Sequence, residues 1–272
     1  MRPPRGRPGG RPLPAAAGAQ KGPLSLARAL SKFGVCSRRE AERWIADGRV
    51  AVDGVVVDAP ARRIDPRDNA ITVDGLRVGD ETVRVAIALH KPAGYITTRT
   101  DPGGRLTVYA LLGGLAPWVF PVGRLDKDTS GLLILTNDHR LGHRLTDPGH
   151  HVPKTYHARV RGVPDPEALR ALREGVPLGD GTASGPATVR PLGSGRAGGR
   201  PRDPPGPGTS WLEIVLTEGK NRQVRRMCAA VGHDVVDLVR VAIGALALGD
   251  LAPGEWRTLD AAAVAALEAD TR

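Results

Sequence analysis

The chain has 272 residues, with Lys+Arg 39 against Asp+Glu 29 and a formal net charge of +10. That length holds one large or two modest domains, and the basic excess points to a polyanionic partner, nucleic acid or an acidic membrane surface. No apolar stretch is long enough to cross a bilayer and the N-terminus lacks the apolar centre of a signal peptide, which argues against membrane-spanning and exported proteins and for a cytoplasmic one.

Residues 1–23 carry Arg2, Arg5, Arg7, Arg11 and Lys21, no acidic residue and many Pro and Gly, the composition of a disordered basic tail. From Ser25 the pattern changes. Leu26, Ala29, Leu30 and Phe33 recur at helical spacing, with Ser25 placed to cap the start and Gly34 the end. A second helix opens on Ser37 and Glu40 as a capping box, buries Ala41, Trp44 and Ile45, and stops at Gly48. Val50 to Val57 and Ile71 to Val78 then alternate around Asp53-Gly54 and Asp74-Gly75, two hairpin signals. The helical part bears Arg28, Lys32, Arg38, Arg39, Arg43 and Arg49, diluted by Glu40, Glu42 and Asp47. Spacing alone leaves an RNA-facing surface and a solvated helix face equally open. Cys36 and Cys228 have no metal-ligand spacing and read as small core residues.

A second domain should begin near Arg84. Val85 to His90 reads as a strand that leaves sharply through Lys91-Pro92-Ala93-Gly94-Tyr95, and Thr97 to Thr107 as a polar loop carrying Arg99 and Arg105. Val119 to Leu125 is a further short extended segment. Asp126 to Ser130 is polar, and Leu132 to Leu135 is a continuous apolar run expected to be a strand buried on both faces. One or both of Asp126 and Asp128 therefore sit at the tip of a connection held by two core elements, a good place for a catalytic carboxylate, although Asp and Gly also make ordinary turns. Asp126, Asp128, Ser130 and Gly131 match the start of an EF-hand loop, but its twelfth position is Asn137 and its second half is leucine-rich, so calcium binding fails.

Asp138 should cap a short helix with Leu141 and Leu145 inward and His139, Arg140, His143 and Arg144 largely outward. His139 and His143 have metal spacing but no third ligand, and no metal site is expected. Val152 to Tyr156 leads into a strand over Tyr156 to Val160, and Asp165-Pro166 opens a helix that Gly175 closes. Residues 193–208, with six Gly and four Pro, read as a flexible insertion in the form of a long hairpin loop. In Leu216 to Val231, the residues Val224, Met227, Cys228 and Val231 form the core stripe of a helix; Arg226 points away and Arg225 lies on the flank, half-buried and in need of a partner. Val235 to Leu248 supplies two buried segments turning near Gly244, and residues 260–268 a terminal helix.

Several blocks carry a resemblance. GRLDKDTSGLLILTND, Gly123 to Asp138, is similar to the signature of RsuA/RluB-type pseudouridine synthases, and SRREAERWIADGRVAVDG, Ser37 to Gly54, follows the pattern of the S4 RNA-binding module. The Lys-Pro-x-Gly block at Lys91, the Lys-x-Tyr block at Tyr156, LTEGKNRQVRRMCAAV and the pair Leu238 and Arg240 follow in the family's order, so the resemblance spans Leu24 to about Asp260. It implies an α+β protein: an S4 domain over 24–82, then a synthase domain over 84–265 built on a mostly antiparallel bent sheet.

The resemblance also implies the chemistry, isomerisation of a specific uridine in ribosomal RNA without metal or organic cofactor. Asp126 would be the catalytic carboxylate, Arg225 its ion-pair partner, Tyr156 the ring against the target base and Leu238 part of the base pocket, with Arg240 left without a firm role. RNA contacts are expected from the S4 residues Arg28, Lys32, Arg38, Arg39, Arg43 and Arg49, and from Lys91, Arg99, Arg105, Arg124, Lys220, Arg222 and Arg226. The SRREAE helix and the TDPGGRLTV loop are closer to the RluB branch, which favours 23S over 16S ribosomal RNA. A non-catalytic RNA-binding ribosome-assembly factor is the reading from another class. A monomer with no membrane partner is expected.

Overall fold

A computed structural model describes residues 23–66, 68–78, 84–113, 118–193, 195–197, 200–202 and 206–269. The expected basic tail, apart from Pro23, lies outside the described residues.

The N-terminal module runs β1 (Leu24–Ser25), α1 (Leu26–Lys32), α2 (Arg38–Ala46), β2 (Val50–Val52), β3 (Val55–Val56), β4 (Arg63–Ile64), β5 (Ile71–Val73) and β6 (Leu76–Val78). Leu26, Leu30, Ala41, Ile45, Val50, Val52 and Ile71 form its core. Ser37 and Glu40 make both hydrogen bonds of the capping box. Ser25 occupies the cap position of α1 without a side-chain cap bond; the carbonyls of Arg62 and Pro60 take the Leu26 and Ala27 amides instead. Both hairpins turn on left-handed Asp-Gly pairs, Asp53 and Gly54 at φ 54° and 80°, Asp74 and Gly75 at 50° and 79°, as two-residue loops demand. The four strands order β3-β2-β5-β6.

The second part continues β7 (Ala86–Lys91), β8 (Phe120–Pro121), β9 (Ser130–Thr136), α3 (His139–Thr146), β10 (Lys154–Arg161), α4 (Pro166–Glu174), β11 (Thr188–Leu192), β12 (Gly195–Ala197), β13 (Arg200–Arg202), β14 (Thr209–Leu216), α5 (Gln223–Ala230), β15 (Val235–Ile243), β16 (Leu246–Ala247), β17 (Trp256–Thr258) and α6 (Ala261–Ala269). Its sheet orders β11-β14-β10-β15-β9-β7-β17, with β16 on β15 and β8 on β9. Every described pair in it is antiparallel except β15 with β9. Leu132 to Leu135 on β9 are wholly buried, Leu132 and Ile134 in one apolar cluster, Leu133 and Leu135 in another. This is what a continuous apolar run between two layers requires. Residues 195–197 and 200–202 pair as a small antiparallel ladder. Cys36 and Cys228 are buried free thiols, both pushed up to about 12 by burial.

Two expectations change. Of Val119 to Leu125 only Phe120–Pro121 joins the sheet, because Gly123 at φ 73° turns the chain into the loop that follows. His139 is not an outward helix residue: its ring stacks on Phe120 at 4.4 Å and its Nε2 lies 3.0 Å from the Ser31 carbonyl of α1. It belongs to the junction between the two parts, beside Gly34, where a Cβ would approach that of Asn137 to 2.9 Å.

Candidate active site

Asp126 lies on a loop held from below at almost every residue. Thr97 Oγ1 donates to the Leu125 carbonyl at 2.8 Å, the Gly94 amide donates to Lys127 O at 2.7 Å, and the Thr129 amide closes back on Asp126 O at 3.1 Å. Lys91 completes the support. Its Nζ donates to Thr129 O at 2.7 Å and Pro92 O at 3.0 Å. Such a loop presents a side chain without needing to reorganise, which is what a reacting group needs.

Lys91, expected on RNA, instead has its ammonium inside the protein. It is wholly buried, on a strand whose apolar residues are sequestered on both faces, and its ammonium is spent on loop carbonyls. Burial pushes its pKa down to about 8 from 10.5, with Asp128 and Asp126 opposing the fall. A lysine whose folded pKa lies below its unfolded value carries the full cost of a buried charge below pH 8. That cost is relieved as pH rises to 10.5, since the folded state releases its proton first. Lys91→Met should accordingly flatten the gain in stability between these values, worth up to roughly 3 kcal/mol, and lower activity by loosening the loop. Urea unfolding at pH 7 and pH 10 checks the first effect and turnover at pH 7 the second.

The loop faces a cavity of about 490 Å³ whose wall includes Arg124, Asp126, Lys154, Tyr156, Leu238 and Arg240, a volume suited to a small planar ligand. The Asp126 side chain is 37% exposed and its nearest cation among the described residues is Arg222, at 3.7 Å. Arg225 is not its partner. Arg225 places Nε 3.3 Å from Asp128 Oδ2, donates to Asp128 O at 2.9 Å and reaches Val235 O at 3.1 Å. Arg222 forks onto the same Asp128 carboxylate at 3.1 and 3.0 Å, and with Arg225 holds it below the usual carboxylate range. The tight turn from Asp126 to Thr129 separates the two carboxylates: Asp126 fronts the cavity and Asp128 fronts α5. Arg222 itself sits in the left-handed region at φ 47°, a strained position for a side-chain-bearing residue that the fork helps hold.

Tyr156 and Leu238 both line the cavity. Tyr156 is brought there by β10, opposite Arg240 of β15, at a register shift between Thr155 and Tyr156. Several residues expected on RNA have protein partners. Arg99 pairs with Glu40 at 3.1 Å and lies over the Tyr109 ring; Arg105 pairs with Asp101; Arg49 pairs with Asp74 and lies over Trp44. Arg38 pairs with Glu42, Lys220 with Glu218 at 2.9 Å, and Arg226 with Asp180 at 2.7 Å and with the Leu178 carbonyl. Arg28, Arg39, Arg43 and Arg124 are exposed, and Lys32 lies near Arg28 and Arg140, with burial and their charges lowering its pKa. Outside the cavity, His143, Asp147 and His150 place three possible ligand atoms within 4.8 Å of one another; His139 is not among them.

Comparisons with known proteins identify the family. The family model described as RNA pseudouridylate synthase matches residues 85–230, and the S4 domain model matches 25–70. An uncharacterized RNA pseudouridine synthase of Mycobacterium tuberculosis is 43% identical over 239 residues, covering 87% of this chain and 89% of that protein. Ribosomal large subunit pseudouridine synthase B of Bacillus subtilis is 38% identical over 86% of this chain and 91% of its own; the corresponding synthase E of Xanthomonas campestris is 48% identical over 65% of this chain and 97% of its own. A crystal structure of a pseudouridylate synthase superposes with a TM-score of 0.62 at 28% identity, covering 90% of this chain and 99% of that one.

Proposed function

Because the chain belongs to the RNA pseudouridylate synthase family, we propose that it converts a uridine of 23S ribosomal RNA to pseudouridine, with Asp126 as the catalytic carboxylate. The observation that carries the site is Asp126 on a braced loop at a cavity of about 490 Å³, with no closer cation among the described residues than Arg222 at 3.7 Å. The large-subunit target is supported by the two relatives named ribosomal large subunit pseudouridine synthases B and E.

The reacting uridine must leave its stack to enter the cavity. Tyr156 offers a flat ring against the base and Leu238 an apolar wall. Asp126, ionised, presents an oxygen to the sugar or base. Arg225 acts at one remove: by holding Asp128 and the Val235 carbonyl it fixes the loop that carries Asp126. The S4 module, taken as 24–82, orients the RNA through phosphate contacts from Arg28, Lys32, Arg39 and Arg43, and the synthase domain, 84–265, performs the reaction as a monomer.

Incubation of the purified protein with 23S and 16S transcripts tests this: pseudouridine at one 23S position is expected. Modification of 16S alone overturns the target, and of neither overturns turnover on free RNA. Affinity should fall about 10³-fold between 50 and 200 mM salt if some six phosphates are contacted; filter binding across that range showing no change would contradict phosphate-led recognition.

A further inference from the structure

The floor of the cavity carries positive charge that the protein leaves unanswered. Arg240 is 5% exposed yet lines the cavity. Its Nε donates to the Leu132 carbonyl at 2.8 Å, and its Nη2 is buried without a hydrogen-bond partner. Lys154, two positions before Tyr156 on the neighbouring strand, lines the same cavity and is half-buried. Among the described residues neither cation has a carboxylate within 4.0 Å. Burial, then the charge of Arg240, lowers the Lys154 pKa. Of the other basic residues near the loop, Arg222 is occupied by Asp128 and Lys91 by carbonyls, while Arg124 on the cavity wall is exposed to solvent. A buried guanidinium with an open donor is costly unless a ligand completes it.

We propose that Arg240, with Lys154 beside it, is a catalytic residue that holds the negative charge of the detached uracil. This rests on the reading of Asp126 given above. In the reaction the C1′–N1 bond breaks and its electron pair leaves with the base, spread over N1, O2 and O4. Arg240 and Lys154 line the cavity that would hold that charge, and positive charge fixed there stabilises it more than it stabilises neutral uridine. The base then turns on Tyr156, C5 supplies the pair for the new bond to C1′, the C5 proton departs and N1 takes one, leaving no net change in protons. Leu238, also on the wall, confines the base between the two bonds.

The test uses the leaving group. Large-subunit RNA is transcribed with UTP or with 5-fluoro-UTP, and loss of the original N-glycoside at the target position is followed under single-turnover conditions for the native protein, Arg240→Met, Arg240→Lys and Asp126→Asn. Fluorine makes the detached base a weaker base that needs less stabilisation. Arg240→Met is expected to slow the uridine RNA on the order of 10²-fold and the 5-fluorouridine RNA several-fold less, with Arg240→Lys recovering most of the rate and RNA affinity unchanged. A pocket merely displaced by the substitution slows both RNAs equally. Equal losses, or no loss, overturn the proposal. Full activity in Asp126→Asn overturns instead the catalytic reading on which it rests.

Discussion

Asp126→Asn is expected to reduce turnover by on the order of 10⁴-fold or more while the fold and RNA affinity hardly change. The amide has the shape of the carboxylate, and among the described residues the side chain it replaces has its one ion pair with Arg222, at 3.7 Å. What fixes the loop is the backbone of Leu125, Lys127 and Thr129, anchored by Thr97, Gly94 and Lys91, contacts to backbone atoms that the substitution leaves in place. An unchanged melting temperature beside absent product marks loss of chemistry rather than of structure. Arg225→Ala should behave differently, since removing that guanidinium leaves the Asp128 and Val235 carbonyls without that donor, although Arg222 still holds the Asp128 carboxylate: activity and stability should fall together. A variant of Asp126 that retained a tenth of native turnover in the same assay would remove it from the chemistry.

Gly131→Ala should have the largest effect on stability of any single methyl added to the sheet. Gly131 is the second residue of β9, beside β15, and a Cβ there would lie 2.2 Å from the Arg240 carbonyl oxygen and 2.5 Å from its nitrogen, both backbone atoms in the centre of a sheet. Its φ of 110° is itself unfavourable to any other residue. Strain and separation of the strands should together cost about 3 kcal/mol or more, a large share of a stability that is commonly 5–15 kcal/mol. The melting temperature should drop by roughly 10 °C, or the protein should fail to accumulate in soluble form. The same displacement moves Arg240 and the Asp126 loop, so activity should vanish with it. Thermal unfolding within a few degrees of native would show that the two strands can separate at little cost.

Local patterns made much of this legible. The Asp-Gly pairs required left-handed turns, Ser37 and Glu40 could satisfy each other within one helical turn, and four consecutive apolar residues on β9 had to be covered on both sides. The face of α5 was likewise set by Val224, Met227 and Cys228. Partners chosen across long sequence separations were not legible. Asp126 and Asp128 are two residues apart in one loop, so the flank position of Arg225 could not say which carboxylate it meets; the curl of the loop decides for Asp128. Lys91 ends an apolar strand at the point where a charged residue ordinarily reaches solvent, and only its carbonyl partners, Thr129 on the Asp126 loop and the adjacent Pro92, make burial tolerable. Arg99 and His139 find Glu40 and Ser31 on the N-terminal module, contacts that exist only once the two parts are packed. Lys154 carried no sequence signal apart from its place in the Lys-x-Tyr block.

The most direct measurement is a pseudouridine map of ribosomal RNA from cells lacking this protein and supplied with either the native chain or Asp126→Asn. The account predicts one 23S position modified with the native chain and unmodified with the variant. Identical maps would contradict it.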